Sequence, residues 1–528
     1  MTQLNRRAFL RAVGATGGAG AMLATMGALG LTPTAEAASR EAAFRAPRPG
    51  DFSLTGRAAA KVVVLGGGIA GLTTAYELGK AGYDCTILEA RDRPGGRNFT
   101  VRGGDRTTDL YGNKQTARFS DGQYMNAGPA RIAQWMVTLD YCRELGVPIE
   151  VFTNVNADTY LYNESAGMTA PMRYRAAKAD VFGYVTELLA KASDQGALDQ
   201  ALTAADRERL MEFLKDYGDL GNTLDYTGSS RRGYSVWPAA AGTPGVVNAD
   251  VPSASEIFAT GVGRYFAFEF EFDQAMLMFQ PVGGMDRIPH ALARAIGTHK
   301  VRTGCAVTQV TDKAHGVSVT YTQSGRTRVI DADYCVAAMP PNILAKVPHN
   351  LGADVQTALQ AITPSSAGKI GLEYRSRWWE TDHRIYGGIT ETDLDVTHIW
   401  HPSYGFHGER GVMIGYYNTG SHADSYALLS PKDREARAVA AGVKIYGEKY
   451  RSELATSFSH HWRQFPYQEA AWHSTPGGPD HARYKPLNEP TGHVYFAGDW
   501  LSYMDAWQHG AFSSARKAVT ALHQRVLA

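Results

Sequence analysis

Cysteine is scarce in this chain of 528 residues: Cys85, Cys142, Cys305 and Cys335 lie far apart, with no CxxC pair and no histidine cluster at ligand spacing. His460 and His461 are adjacent, and neighbours on a strand or helix point in different directions. A disulfide framework, a zinc site and the ligand patterns of haem or other redox metals are thereby excluded; buried free thiols are expected, and no metal site. Charge of one sign is also missing. The 53 Lys+Arg and 52 Asp+Glu leave a formal net charge of +1, which gives neither nucleic acid nor an anionic membrane a field to recognise. The 56 glycines follow no period, so collagen-like and low-complexity architectures fail. Beyond the N-terminal segment, no run approaches the roughly 20 apolar residues of a membrane span.

That segment is itself informative. Asn5 to Ala12 reads NRRAFLRA, a weakly apolar Gly/Ala-rich run follows to Leu31, and Ala35-Glu36-Ala37 comes next. Charged, apolar and small-residue regions in this order describe an export signal of twin-arginine type over residues 1–37. Its glycines make a poor bilayer helix, so cleavage near Ala37 and a periplasmic or secreted product are expected. Residues 38–60 read as an extended arm, and the remaining length suffices for two or three domains sharing a core.

Residues 61–90, KVVVLGGGIAGLTTAYELGKAGYDCTILEA, carry the most specific signal. Val62 to Leu65 suit a buried parallel strand. Gly66-x-Gly68-x-x-Gly71 then satisfies the dinucleotide fingerprint. The first glycine permits a tight turn, the second lets backbone approach a pyrophosphate, and the third lets the helix pack closely on the strand. The phosphates would sit at the helix N-terminus, where unpaired N–H groups and the helix dipole favour negative charge. Ile69, Leu72, Tyr76 and Leu78 recur at helical spacing, Gly82 ends the helix, and CTILEA supplies a second strand. Glu89, at the end of that strand and 18 positions after Gly71, is placed to accept from ribose hydroxyls and would repel a 2′-phosphate.

Two further stretches extend this reading. Gly95–Gly96 with Arg97, in ARDRPGGRN, resembles the second phosphate motif of the flavin-containing amine oxidase superfamily; Val494 to Val519, VYFAGDWLSYMDAWQHGAFSSARKAV, resembles its closing flavin motif. Within the superfamily the chain is most similar to bacterial secreted L-amino-acid oxidases. The resemblance implies FAD rather than NAD. It also implies an α/β fold whose Rossmann-like FAD-binding domain is assembled from residues 61–130, 281–345 and 485–528. A mixed α+β substrate domain (346–484) and a helical insert (131–280) would complete it, and a homodimer is common in the family. Gly95, Gly96 and Arg97 would meet the pyrophosphate, and the backbone of Val307 the adenine. Gly498 and Asp499 would meet the ribityl region, while Ala130, Ala506 and Trp507 would lie by the flavin.

The substrate side is implied by four more stretches. Asn126 to Trp135, NAGPARIAQW, is similar to the place where L-amino-acid oxidases put the arginine that grips the α-carboxylate, here Arg131. A guanidinium offers two parallel donors to the two carboxylate oxygens, a contact worth about 1.5–3 kcal/mol. A simple amine would leave that charge uncompensated. Lys369, in SSAGKIGLEYRSRWWE, matches the family lysine that holds a water against flavin N5. Trp472 and Trp507 match the aromatic pair that flanks the reactive face of the flavin. HIWHP, His398 to Pro402, carries Trp400 and His401 where the family has a tyrosine touching the carboxylate. Trp400 becomes a substrate contact, with Tyr416, and Tyr417 beside it, as substitute anchors.

The implied reaction is FAD-dependent oxidative deamination of an L-amino acid. The Cα hydrogen leaves as hydride to flavin N5, O2 reoxidises the flavin to give hydrogen peroxide, and the imino acid hydrolyses to a 2-oxo acid and ammonia. Arg131, Lys369, Trp472 and Trp507 are the catalytic candidates. A monoamine or polyamine oxidase, an amino-acid 2-monooxygenase and a non-oxidase flavin-binding protein are the alternatives. Aromatic abundance around the pocket favours apolar or aromatic side chains, whereas Glu469 could receive a basic one.

Overall fold

Lys61–Leu65 is the central strand of a five-stranded parallel sheet. Its neighbours are Asp84–Leu88 and Val301–Arg302 on one side and Tyr334–Ala337 and Val494–Phe496 on the other. The computed structural model describes residues 52–199 and 201–528; the expected export signal and most of the arm lie outside the described residues. Successive side chains of a strand face opposite ways, and this divides the core. Val62 and Val64 pack with Leu72, Leu292, Phe512 and Val519, contributed by the helices Ile69–Lys80, Arg287–Ile296 and Gln508–Leu527. Val63 and Leu65 pack with Cys305, Val319 and Tyr321 of a three-stranded antiparallel sheet, Cys305–Asp312, Val317–Gln323 and Arg326–Ala332. Coverage on both faces is why the strand reads as an unbroken apolar run. The four cysteines are all buried and none is bridged.

Glycine decides how the first strand hands over to its helix. Gly66 turns at φ +102, and a Cβ there would lie 2.9 Å from the Ala338 carbonyl oxygen. A Cβ on Gly71 would lie 2.0 Å from the Gly66 carbonyl oxygen, so only glycine lets the helix sit this close to the turn. The far end of the same helix is held by buried polar groups. Glu77 accepts from the Tyr141 hydroxyl at 2.7 Å and pairs with Lys80 at 2.6 Å, Lys80 also reaches Glu144 at 3.1 Å, and Arg516 donates to the Tyr141 hydroxyl at 3.0 Å. Burial raises the Glu77 pKa while Lys80 opposes it. The helices Ile69–Lys80, Val137–Glu144 and Gln508–Leu527 are thereby fixed against one another.

A second sheet has seven strands. Its order is Leu454–His461, Ala367–Tyr374, Gly411–Thr419, His398–His401, Gly388–Thr392, Tyr160–Tyr162 and Met172–Arg173. All pairings are antiparallel except that of Gly388–Thr392 with Tyr160–Tyr162. The last two strands come from the stretch expected as a helical insert, which therefore contributes to the sheet before forming the helices Tyr174–Asp194 and Ala204–Gly218.

Two glycines of one helix give a direct test of this packing. Gly71→Ala is expected to destabilise the chain by roughly 1–3 kcal/mol through overpacking. At Gly79, a Cβ would meet nothing within 4 Å, so Gly79→Ala is expected to be neutral or to stabilise by up to about 1 kcal/mol. Denaturant midpoints of the two variants check the contrast.

Candidate active site

Residues of both sheets line one cavity of about 390 Å³. At one end stands the N-terminus of the helix Ile69–Lys80, whose cap residue Gly68 makes no side-chain bond and whose first turn holds no acid. A Cβ on Gly68 would meet nothing nearer than the Gly96 Cα at 4.0 Å, and Gly96 itself sits at φ +55. Backbone approaches backbone here, leaving a bare surface of peptide dipoles beside the cavity. Glu89 is anchored at its edge: Oε2 accepts from the Gly67 N–H at 2.7 Å and Oε1 from the Arg91 N–H at 2.9 Å. Arg97 pairs with Asp499 and donates to the Ala471 carbonyl at 3.0 Å. Asp499 in turn accepts from the Ala506 N–H at 3.0 Å, steadying Ala506 at φ +64, a conformation that non-glycine residues adopt only when held.

The other end is cationic and aromatic. Across the second sheet Lys369 lies opposite Tyr417 on one side and His460 on the other, and directly paired residues share a face. Lys369 Nζ donates to the Gly128 carbonyl at 2.6 Å and the Asn126 carbonyl at 3.3 Å. It lies 4.8 Å from the ring centroids of Trp400 and of Tyr417. Burial, with the Arg131 charge adding to it, pushes the Lys369 ammonium down to about 7. Arg131 donates from Nε (3.1 Å) and Nη2 (2.7 Å) to the single oxygen Oε1 of Gln274. Its Nη1 is buried without a hydrogen-bond partner. The guanidinium lies 4.8 Å from the Trp400 ring and 5.6 Å from that of Phe268. Among the described residues Arg131 joins no ion pair, and burial lowers its pKa from the usual value.

A family model described as flavin containing amine oxidoreductase matches residues 69–523. The chain belongs to this family. A second model, pyridine nucleotide-disulphide oxidoreductase, matches residues 5–114. The L-amino-acid oxidase of Demansia vestigiata is 26% identical over 480 residues, 87% of this chain and 86% of that protein. The one from Vipera ammodytes ammodytes is 27% identical over 476 residues, 87% and 91%. Among solved structures, cyclohexylamine oxidase from Brevibacterium oxydans aligns with TM-score 0.58 at 17% identity, over 89% of this chain and all of that one. Putrescine oxidase bound to putrescine aligns with TM-score 0.56 at 18% identity, over 89% and 99%. These likenesses carry the fold, which is that of the flavin amine oxidases. This chain is an FAD-binding oxidoreductase of the flavin amine oxidase family.

The cavity of this amine oxidoreductase suits that cofactor on physical grounds. An uncapped helix N-terminus without acids favours a pyrophosphate, and a carboxylate held at the adjacent strand end suits ribose hydroxyls. Of the residues singled out in the sequence, Gly66, Gly68, Glu89, Gly95, Gly96, Arg97, Val307, Gly498, Asp499 and Ala506 line the cavity, as do Ala130, Arg131, Lys369, Trp400, Trp472 and Trp507. Gly71 stands behind the wall as a packing contact. Tyr416 does not reach the cavity: it is fully buried on the opposite face of its strand and hydrogen-bonds His461 Nε2 at 2.8 Å. Strand alternation gives the place beside Lys369 to Tyr417. His401 is buried against Tyr446, and Glu469 pairs with Lys346 outside the cavity. Gln274, Trp462, Tyr467 and Gln468 also line it; none belongs to a motif, and only the folded chain brings them there.

The Lys369 environment has a pH signature. Its folded pKa of about 7 lies below the unfolded value of about 10.4, so folding must shed a proton between those limits. The resulting penalty is full at and below pH 7 and fades as pH rises toward the unfolded value. Lys369→Met removes it. The stability of Lys369→Met relative to the wild type is therefore expected to fall by roughly 2–4 kcal/mol between about pH 7 and pH 9.5, measured by denaturant unfolding at both values. An unchanged difference would contradict the assignment.

Proposed function

We propose that this chain is an FAD-dependent L-amino-acid oxidase, converting an L-amino acid, O2 and water into a 2-oxo acid, ammonia and hydrogen peroxide. The observation that carries the reading is the Arg131 guanidinium: Arg131 lines the cavity, joins no ion pair among the described residues, and has its Nη1 buried without a hydrogen-bond partner. A buried cation of this kind is costly unless an anion arrives to meet it. A carboxylate does so, with two oxygens for two parallel N–H donors.

Gly66, Gly68, Gly95 and Gly96 would hold the FAD pyrophosphate, with Glu89 on the ribose, Val307 by the adenine and Asp499 and Ala506 toward the flavin. FAD, when bound, would supply the redox chemistry, taking the two electrons of the substrate Cα–H bond and passing them to O2. The chain supplies orientation and electrostatics. Arg131 fixes the carboxylate and so the direction of the Cα–H bond. Two nearby cations, Arg131 and Lys369, disfavour an ammonium and hold the substrate amine as the free base, with its lone pair available. Protonated Lys369 has three N–H donors; two are taken by the carbonyls of Gly128 and Asn126, leaving one for a water. Trp400, Trp472 and Trp507 exclude bulk solvent and favour apolar or aromatic side chains. The acids on the cavity wall, Glu89 and Asp499, already have partners: Glu89 accepts from the Gly67 and Arg91 N–H groups, and Asp499 from Arg97 and the Ala506 N–H. Export by the twin-arginine route remains part of this proposal on the strength of NRRAFLRA; N-terminal sequencing of the exported protein tests it.

Peroxide release across the twenty L-amino acids identifies the preferred substrate. With that substrate, Arg131→Met is expected to lower kcat/KM by roughly 10- to 150-fold, the equivalent of one charge-assisted contact. Turnover of the corresponding decarboxylated amine is expected to hold or improve. Equal losses on both substrates, or none on the amino acid, would favour a monoamine or polyamine oxidase instead.

A further inference from the structure

Gln274 meets Arg131 across 143 positions of sequence, and the backbone fixes both sides of the meeting. The Ile132 N–H donates to the Phe279 carbonyl at 2.7 Å and the Phe279 N–H returns at 2.9 Å. These bonds tie the Arg131 segment to the strand Leu277–Pro281. Three residues before that strand, the Gln274 N–H donates to the Glu271 carbonyl at 3.1 Å, and its own carbonyl accepts from the Asn154 side-chain amide at 3.0 Å. Trp135 closes the arrangement: Nε1–H donates to the Phe272 carbonyl at 2.9 Å, and the indole stacks on the Phe272 ring with centroids 4.6 Å apart. The Gln274 side chain thus projects from a segment strapped down on two sides.

A guanidinium can bind a two-oxygen partner along its side edge, Nε with Nη2, or along its end edge, Nη1 with Nη2. Gln274 Oε1 takes the side edge. The end edge keeps the unpartnered Nη1. We infer that Gln274 is the positioning and specificity residue of this site: a neutral acceptor that presents the end edge of Arg131 to the substrate carboxylate without cancelling its charge. The inference rests on the amino-acid reading above and deepens it. Glutamate has nearly the same size, but at this place it would form a side-on ion pair and neutralise the guanidinium. Glu391, Asp273 and Glu271 act on Arg131 only at longer range. The choice of amide over carboxylate at one position therefore decides whether the cavity attracts anions.

The test titrates the holoenzyme with benzoate, a carboxylate with no amine to oxidise. Binding is read from the perturbation of the flavin absorption spectrum, with kcat and KM for the preferred L-amino acid measured alongside. Gln274→Glu is expected to weaken benzoate by about tenfold or more and to raise the amino-acid KM similarly, with kcat within about threefold of wild type. Gln274→Ala frees the fork but leaves the charge intact, so it should weaken benzoate less than Gln274→Glu does. Flavin content and thermal midpoint of each variant report its folding. If Gln274→Glu does not retain flavin, Gln274→Ala still decides, because wild-type benzoate affinity in it would show that positioning is not needed. Benzoate binding by Gln274→Glu as tight as wild type, or weaker binding by Gln274→Ala than by Gln274→Glu, overturns the inference while amino-acid oxidation by the wild type stands. Wild-type holoenzyme that ignores benzoate and oxidises only amines overturns the amino-acid reading and this inference together.

Discussion

A positive charge held in a cavity wall, in no ion pair among the described residues, is the constraint on which the proposed chemistry turns. Arg131, beside the isolated bridge at Ile132, and Lys369, on a strand of the second sheet, are brought to one cavity, and the Arg131 charge makes Lys369 harder to protonate. What keeps them there is neutral: the Gln274 amide, the carbonyls of Gly128 and Asn126, and the ring faces of Trp400 and Tyr417. Ring faces attract cations by about 0.5–2 kcal/mol each, enough to ease burial without removing the charge. The apolar walls that exclude water also strengthen the field of whatever charge remains.

The two ends of the cavity manage arginine differently, and the contrast bears on what each end can bind. Arg97 is paired with Asp499, so as a unit it contributes little net field. Positive potential at that end comes instead from the uncapped helix beyond Gly68, whose peptide dipoles point at the cavity. Among the described residues Arg131 joins no such ion pair. A multiply charged phosphate is suited to an array of backbone donors, and a single small carboxylate to one rigid fork.

Much of this was legible in the sequence because the residues concerned are bound by local geometry. Gly66 and Gly71 are each fixed by a backbone demand that no other residue meets, and Glu89 follows at the distance that one helix and one strand impose. Gly95, at φ +105, and Gly96, at φ +55, are likewise marked by a local backbone demand. Tyr416 shows where such reading fails. Two adjacent tyrosines differ only in which way the strand presents them, and the register that settles this, Tyr417 opposite Lys369, is a tertiary fact. Gln274 shows the second kind of failure. Nothing in EFEFDQ marks one glutamine as special, and its partner becomes visible only once the bridge between Ile132 and Phe279 has closed a loop of more than a hundred residues.

The proximity of Arg131 and Lys369 also couples binding to protonation in the proposed reaction. Arg131 lowers the proton affinity of Lys369 because two like charges share a poorly solvated space. A carboxylate resting on the guanidinium offsets that repulsion, so the lysine holds its proton more tightly with substrate present than without. A neutral amine entering the same cavity brings no such compensation. The difference between an acid-bearing substrate and its decarboxylated counterpart is then felt in two places at once, as a missing contact at Arg131 and as a lysine that remains easier to deprotonate. An active site built around an unpaired cation therefore discriminates by the state it puts its own groups into, as well as by what it touches.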